Sequence, residues 1–344
     1  MKKPLVSIII LTYANGLDFV KKCLNSLDKI TYDNYEIILV DNKSTDNTVD
    51  YVKKNFPKVK LIINKKNLGL CGGNNIALQV AKGKYLLFHN YDTEVNPNFL
   101  EFLVDLLEGD ETIGAVQPKM RQLIAKDKLD ACASFLTATG FLYHYGYSQE
   151  QVNKKYNKRM EIYSVKGACF LTRRSLIDEV GLFDEDFFAY FEETDFCHRV
   201  WMHGYRVFYE PKSEMFHLGG GNGKNDHPAS LQFISYRNRI QSYLKNLEAQ
   251  NLLKIIPFHI ILCFSVVVVY LFLGKPKSSL EIIRGVLWNI VNIKNILKKR
   301  KIIQKNIRRV SEDKYWSKIT KNPSSSYYIH FLLNPRGRYD DMII

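Results

Sequence analysis

Apolar runs and amphipathic stretches alternate through the first third of the chain. Residues 6–11 are almost continuously apolar and rich in isoleucine, the pattern of a parallel strand buried on both faces. Across residues 18–27, Phe19, Val20, Cys23, Leu24 and Leu27 share one helical face. Further strands are predicted over residues 37–40, 59–63 and 85–88. Between them, Thr45 and Asp46 can cap a helix that runs through Asp50, Tyr51 and Val52. Residues 69–73 predict a glycine-rich turn, and residues 74–81 a helix after it. Pro97 fits the first turn of a helix over residues 99–107. Strands and helices alternating through short links predict a parallel sheet covered on both faces.

The second half is more mixed. Residues 113–120 and 165–172 read as strands, and the aromatic stretch 141–147 as a loop or short turn. A helix over residues 194–203 turns Phe196, Val200 and Trp201 inward, and short strands are expected over 207–209 and 215–217. The run Gly219-Gly220-Gly221-Asn222-Gly223 is too rich in glycine for regular structure. A helix over residues 234–247 leads into residues 255–274, twenty positions without a formal charge. That length reaches the roughly 20 residues needed to cross a bilayer. Residues 280–293 are apolar but too short to span, and read as an interfacial helix.

Charge sharpens the picture of this C-terminal part. The chain of 344 residues carries a net charge of +14, and residues 275–344 hold 16 basic against 5 acidic side chains, or +11. The remaining 274 residues are therefore close to balance, and the tail reads as a basic appendage for nucleic acid or an anionic membrane. It lacks the interleaved aromatic and basic residues expected for stacking on single strands. The neighbouring apolar segment favours a membrane, with a re-entrant or monotopic segment and both flanks on the cytoplasmic side. Cys23, Cys71, Cys132, Cys169, Cys197 and Cys263 are scattered with no Cys-x-x-Cys pair. Neither a zinc site nor a disulfide framework is expected, and a reducing compartment fits. Met1-Lys2-Lys3-Pro4 leads into an apolar run too short for a cleavable leader.

Candidate chemistry sits at the ends of the predicted strands. Asp41 follows the run at 37–40, Asp92 follows the run at 85–88, and Glu192-Glu193-Thr194-Asp195 follows Phe187–Phe191. His217 closes the series. Carboxylates at the carboxyl ends of parallel strands meet in one crevice, where α/β proteins bind ligands. Two carboxylates and a histidine can hold a divalent metal, and a further carboxylate can act as a base. Such a set suits a phosphate-bearing substrate.

Six stretches carry a resemblance: VSIIILTYANG, YEIILVDNKSTDNT, NKKNLGLCGGNNIAL, YLLFHNYDTEVNP, VKGACFLTRRSLIDEVGLFDEDFFAYFEETDFCHRVWMHGYRV and EMFHLGG. In content and order they resemble family 2 glycosyltransferases, and among them the rhamnosyltransferase-like enzymes of surface polysaccharide synthesis. The resemblance covers about residues 5–220 and implies a GT-A fold, an α/β nucleotide-diphospho-sugar transferase architecture with a mostly parallel central sheet. A C-terminal helical, membrane-associated region would follow. It divides the chain into a catalytic domain (1–225), a linking helix (226–254) and a membrane segment with its basic tail (255–344).

The resemblance also implies roles. Asp41 would bind the nucleotide base, since a carboxylate there can accept the imide N–H of uracil or thymine; the bland alternative is a turn that caps the next helix. Thr12, Asn67, Gly69, Gly72, Gly73, Asn74 and Asn90 would line the nucleotide site. Asn90-Tyr91-Asp92 stands where the family keeps Asp-X-Asp, so Asp92, with His217, would hold Mn²⁺ or Mg²⁺. Glu192-Glu193-Thr194-Asp195 matches Glu-Asp-X-Asp, whose second position carries the general base. Glu193 is the first choice, with Glu192 and Asp195 as alternatives. The 141–147 aromatics could stack on acceptor sugars or simply pack; Lys166-Gly167-Ala168 should edge the site, and Arg199 and Trp201 read as structural. The implied protein is an inverting, metal-dependent enzyme at the cytoplasmic face of the membrane. It would move a sugar from a UDP- or dTDP-sugar to a glycan acceptor carried on polyprenyl diphosphate. The same fold with a galactofuranosyl, glucosyl or N-acetylhexosaminyl donor is the alternative. A non-catalytic membrane or nucleic-acid-binding scaffold is the alternative of another class.

Overall fold

A computed structural model describes residues 3–14, 16–147, 149–150, 152–219 and 229–323. Most of the expected glycine run (220–223) and the end of the expected tail (324–344) lie outside the described residues. The first half alternates as expected: β1 (Val6–Thr12), α1 (Leu17–Leu27), β2 (Tyr35–Asp41), α2 (Thr48–Asn55), β3 (Lys60–Ile63), α3 (Gly69–Ala77) and β4 (Tyr85–Asn90). Strands β3, β2, β1 and β4 lie side by side and parallel. Their period-2 alternation feeds two cores. Ile8, Ile10 and Leu39 pack with α1, while Ile9, Ile38 and Val40 face the opposite layer.

The chain continues through β5 (Thr93–Val95), α4 (Phe99–Gly109), β6 (Ile113–Gln122), β7 (Leu129–Ala131), β8 (Ala133–Leu136), β9 (Leu142–Tyr145), β10 (Met160–Glu161), β11 (Cys169–Arg173), α5 (Arg174–Val180), α6 (Glu192–Met202) and β12 (Arg206–His217). The main sheet order is β10-β12-β6-β11-β4-β1-β2-β3, with β5 on β12 and β7 on β6. Strand β11 enters antiparallel between β4 and β6, and β12 returns parallel to β6.

Several local expectations change. The glycine run 69–73 is the first turn and more of α3 rather than a turn before it. Pro97 stands just ahead of the Asn98 cap of α4, not inside its first turn. Residues 165–168 precede β11, whose strand starts at Cys169. The aromatic stretch at 141–147 is in part a strand, paired as the β8–β9 hairpin. The two short strands expected at 207–209 and 215–217 are one strand with an irregularity between Glu210 and Glu214. Polar Glu210, Lys212 and Ser213 hide that continuity from an apolar-run reading.

The C-terminal part is α7 (Ser230–Asn246), α8 (Ala249–Phe272), α9 (Pro276–Val291) and α10 (Ile293–Ile302). A turn after α8 is written into the local sequence. Gly274 adopts φ +68, its N–H donates to Leu271 O, and the N–H of Lys275 donates to Tyr270 O. This is the paired bonding that ends helices on a left-handed glycine. Pro276 then opens α9. Ser279 Oγ donates to Val267 O at 2.9 Å, closing α8 and α9 into a helical hairpin. One face of α8, including Ile255, His259, Cys263 and Tyr270, is buried, whereas Leu253, Ile261, Val268 and Leu271 are exposed.

The basic tail is not a free appendage. Lys299 pairs with Asp184 and Asp186 at 2.6 Å each, Arg308 with Glu248 at 3.3 Å, and Lys318 with Glu161 at 3.0 Å. The N–H groups of Arg309 and Val310 donate to Met202 O. The chain therefore leaves the catalytic body along α8 and comes back to it.

Candidate active site

The site forms where strand ends meet the start of α6. At the donor end, Thr12 and Asp41 end β1 and β2 as direct neighbours in register. Thr12 Oγ1 is buried with no hydrogen-bond partner, an acceptor and donor held ready at the mouth of the crevice. Asp41 is almost fully buried, and both its carboxylate oxygens accept the Ser44 N–H, at 3.3 and 3.2 Å. Asp41 thus closes a turn but does not cap α2, whose cap residue is Asn47, and lone pairs remain for a base.

Asn42, which sequence reasoning missed, organises this end. Its amide donates to Asn67 Oδ1 (3.0 Å) and Gly69 O (2.9 Å), and its Oδ1 accepts from Asn64 Nδ2 (2.9 Å) and the Leu68 N–H (3.2 Å). Asn67 Oδ1 also accepts the Gly69 N–H at 2.8 Å, so that oxygen braces the turn. Asn74 Nδ2 bonds back to Leu70 O within α3. The glycines have packing duties. A Cβ on Gly69, whose φ is +71, would strike the backbone carbonyl of Phe188, and one on Gly73 would come within 2.5 Å of Leu11. Gly72 is buried within α3. These glycines bring α3 close against Leu11, Leu68 and Phe188.

At the metal end, Asn90 ends β4 and Asp92 follows it, and β5 pairs with β12 so that His217 stands opposite Thr93. His217 Nε2 lies 3.6 Å from Asp92 Oδ1, and its Nδ1 lies 2.8 Å from Asp130 Oδ2. Asp130, central in β7, is in turn 3.0 Å from Lys166 Nζ. Burial opposes charge on His217, but Asp92 and Asp130 overcome it and raise its pKa to about 9. Burial likewise works against ionised Asp92, and the His217 charge holds its pKa below the usual value. His89, nearby, is kept neutral by burial, with its pKa lowered to about 3.

A metal fits this arrangement. Asp92 Oδ1 is buried without a hydrogen-bond partner and faces the Nε2 of His217. A carboxylate behind the far nitrogen of an imidazole is the usual support for a metal-bound histidine. Among the described residues no group of three or more His, Cys, Asp or Glu side chains is disposed to hold an ion, so protein would supply two ligands and a diphosphate the rest. Lys166 stands at the edge of the site as expected, whereas Asp130 could have been flagged only by knowing that β7 lies along β6.

At the catalytic end, Glu192 is buried and Glu193 half-buried at the start of α6. Burial, then the charge of Glu193, raises the Glu192 pKa well above the ordinary carboxylate value. Within the pair, Glu192 is the group pushed towards its neutral form. Asp195 stands apart from them. Its oxygens take Asn246 Nδ2 (2.8 Å), Lys245 Nζ (3.1 Å) and the Arg199 guanidinium (3.3 Å), and it is wholly buried. It ties α6 to α7, and both of its oxygens are taken up by these partners. Arg199 also donates to the carbonyls of Val180, Gly181 and Leu182, and Trp201 Nε1 to that of Ile162, in the structural roles expected.

The segment 166–168 joins the three ends. Lys166 pairs with Asp130, and Ala168 O accepts the Asn90 N–H at 2.9 Å. A Cβ on Gly167 would sit 3.4 Å from Glu192 Oε1 and 3.7 Å from Glu193 Cδ. The 141–147 aromatics contribute to packing: Tyr145 meets Tyr143, Tyr156 and Phe135, with Lys321 over its ring at 4.3 Å.

Residues 7–181 match the family model described as glycosyl transferase family 2. The chain belongs to that family. An N-acetylglucosaminyl-diphospho-decaprenol L-rhamnosyltransferase of Mycobacterium tuberculosis is 25% identical over 235 residues, 61% of this chain and 75% of that protein. A poly(ribitol-phosphate) beta-glucosyltransferase of Bacillus spizizenii is 39% identical over 101 residues, 28% of this chain and 16% of that protein. An uncharacterized glycosyltransferase of Haemophilus influenzae is 32% identical over 127 residues, 36% of this chain and 39% of that protein. Several curated relatives are thus matched over well under half their length. The fold is shared with the S. aureus protein TarS, residues 1–349 (TM-score 0.54, 19% identity, 87% of this chain and 90% of that one). It is shared too with the Pyrobaculum calidifontis mannosyltransferase PcManGT, solved with GDP-Man and Mn²⁺ (TM-score 0.52, 15% identity, 84% and 88%). These likenesses give the chain the GT-A fold.

Proposed function

We propose that this family 2 enzyme is an inverting transferase in surface polysaccharide synthesis. It would move a hexose, rhamnose first among the candidates, from a UDP- or dTDP-sugar to a glycan carried on a polyprenyl diphosphate. The observation that carries the reading is the pair at the start of α6: half-buried Glu193 beside buried Glu192, whose pKa is raised by burial and by the Glu193 charge, both against Gly167. Glu193 takes the proton of the acceptor hydroxyl as that oxygen attacks the anomeric carbon. Attack opposite the leaving diphosphate inverts the centre. Glu192 donates a hydrogen bond to Glu193 and adds no second charge. Asp41 and Thr12 receive the base and nucleoside side of the donor. Asp92 and His217 would hold Mn²⁺ or Mg²⁺, which supplies charge neutralisation for the diphosphate. Asp130 accepts from His217 Nδ1 and so leaves Nε2 facing Asp92.

The M. tuberculosis relative favours a rhamnosyl donor and a lipid-linked acceptor, and the B. spizizenii relative a glucosyl donor. The acceptor's lipid fits the α8–α9 hairpin. Ile261, Phe264, Val268, Leu271, Leu287 and Ile290 leave an apolar surface on its outer side. Because the chain returns to the body, the hairpin would sit in the cytoplasmic leaflet without carrying the tail across.

The test is nucleoside diphosphate release in detergent, with a panel of UDP- and dTDP-sugars, Mn²⁺ or Mg²⁺, and lipid extract as acceptor source. One donor should turn over, and Glu193→Gln should reduce turnover by roughly 10²–10⁴-fold. Full activity in Glu193→Gln would remove the base assignment. No release from any donor with extract present would remove the donor reading.

A further inference from the structure

The loop that delivers Glu192 and Glu193 is strained. Phe188, Tyr190 and Phe191 have φ of 63, 67 and 70°, in the left-handed region that L side chains avoid. Phe191 is the residue immediately before α6. Such a run persists only where its surroundings over-determine it.

The surroundings are supplied by α7. Asn238 Nδ2 donates to the carbonyls of Phe187 (3.0 Å), Ala189 (2.8 Å) and Tyr190 (2.7 Å). Arg237 Nε donates to Asn238 Oδ1 at 2.9 Å, which orients that amide with its N–H groups towards the loop. Arg237 Nη2 donates to the carbonyls of Asp186 (2.7 Å) and Phe187 (3.0 Å). On the donor side, Phe188 O accepts the Cys71 N–H of α3 at 3.1 Å.

The other side of Arg237 is held by α9. Asn289 Nδ2 donates to Arg237 O at 3.1 Å, and the guanidinium lies 5.1 Å from the Trp288 ring. A Cβ on Gly285 would come within 2.7 Å of Phe233 O and 3.2 Å of Arg237 N, so α9 lies tight on α7. Leu287, Ile290 and Val291 of the same helix are exposed.

We propose that Arg237 and Asn238 are positioning residues for transfer: they hold loop 186–191 in its left-handed form and so place the Glu193 carboxylate. They touch no reacting atom. Their tether to α9 makes the outer hairpin the far support of the same strut. The proposal rests on Glu193 being the base. It names residues that the family resemblance does not single out.

The experiment compares wild type, Glu193→Gln, Asn238→Asp, Asn238→Ala and Arg237→Lys in full-length protein. For each it measures kcat and donor KM by nucleoside diphosphate release, the pH–rate profile, binding of UDP and dTDP with Mn²⁺, and Tm. Asn238→Asp keeps the shape but presents a carboxylate to three carbonyls. Misplacing a catalytic group by about 1 Å costs on the order of 10²-fold in rate. The expected result is therefore a kcat lower by about that factor in both Asn238 variants, with donor KM and nucleotide binding within about threefold of wild type. The acid limb of the pH–rate profile should move as the Glu193 environment changes. Arg237→Lys should lose less.

Asn238→Asp that folds and keeps wild-type kcat and pH profile would overturn the proposal. Equal losses in kcat, nucleotide binding and Tm would also overturn it, by reducing the role to general folding. If Asn238→Ala does not fold, Asn238→Asp and Arg237→Lys decide. Full activity in Glu193→Gln would instead sink the base reading, and this proposal with it. Loss in Glu193→Gln with none in folded Asn238→Asp would sink the positioning role alone.

Discussion

The proposed metal end and the proposed base end of this crevice are built by different means. Asp92 and His217 are set by sheet register: β5 pairs with β12, His217 faces Thr93, and the Leu218 N–H closes on Asp92 O at 3.1 Å. Backbone ladders hold them, and Asp130 and Lys166 only trim the side chains. Glu193 has no ladder behind it. Its loop is held by side chains 48 to 51 residues further along the chain. One end is thus as rigid as the sheet, while the other depends on a helix that belongs as much to the apolar hairpin as to the catalytic body.

Substitutions can separate the two ends, starting with the largest effect. Asp195→Ala strikes the base end's anchor and leaves Arg199 and Lys245 short of a buried counter-charge. It should destabilise the protein by about 3–5 kcal/mol, measured by denaturant titration. The pH sign follows from the same group. Burial works against ionised Asp195, but Lys245 and Arg199 hold its pKa below the ordinary value. Its contribution is present above an unfolded pKa of about 3.9 and is lost as pH falls through the lower folded value. Between pH 7 and about pH 3 the wild-type Tm should therefore drop more than that of Asp195→Ala. A parallel fall would refute the assignment.

Asp130→Asn acts first at the proposed metal end, through His217, and more weakly on segment 166–168 through Lys166. Supporting carboxylates contribute about 10–100-fold to metal affinity. Mn²⁺ binding followed by electron paramagnetic resonance should weaken by that factor, with UDP-independent binding reporting the protein's own ligands. Unchanged affinity would show that Asp130 serves only Lys166. The smallest effect is expected at the far end of the hairpin. A Cβ on Gly274 meets nothing within 4 Å, so Gly274→Ala adds only left-handed strain, about 1–2 kcal/mol. Turnover should change little, because the turn lies a whole helix away from Arg237.

The same division explains what could be read from sequence. The parallel half of the sheet was legible because buried strands leave unbroken apolar runs, as at Ile8–Ile10 and Leu86–Phe88. Asp41, Asp92 and His217 were legible because they stand at strand ends, where ligands gather. Strand β12 was seen in pieces, since Glu210 and Glu214 interrupt it and are satisfied by Arg159 and Lys119 from elsewhere. Helix α3 was read as a turn because Gly69, Gly72 and Gly73 weaken helix propensity. Contact with Leu11 and Phe188 overrides that weakness. Asn42, Asp130, Arg237 and Asn238 act through partners distant in sequence, and no local pattern marks them.

The tail's return to the catalytic body bears on timing during synthesis. A chain emerges from the ribosome N-terminus first, so β1 to β12 can assemble while α7 to α10 are still being made. At that moment the carbonyls of Phe187, Ala189 and Tyr190 lack their Asn238 donor, and Asp184 and Asp186 lack Lys299. If Asn238 has the positioning role proposed above, the enzyme would become competent only after α7 has been made and has docked on loop 186–191.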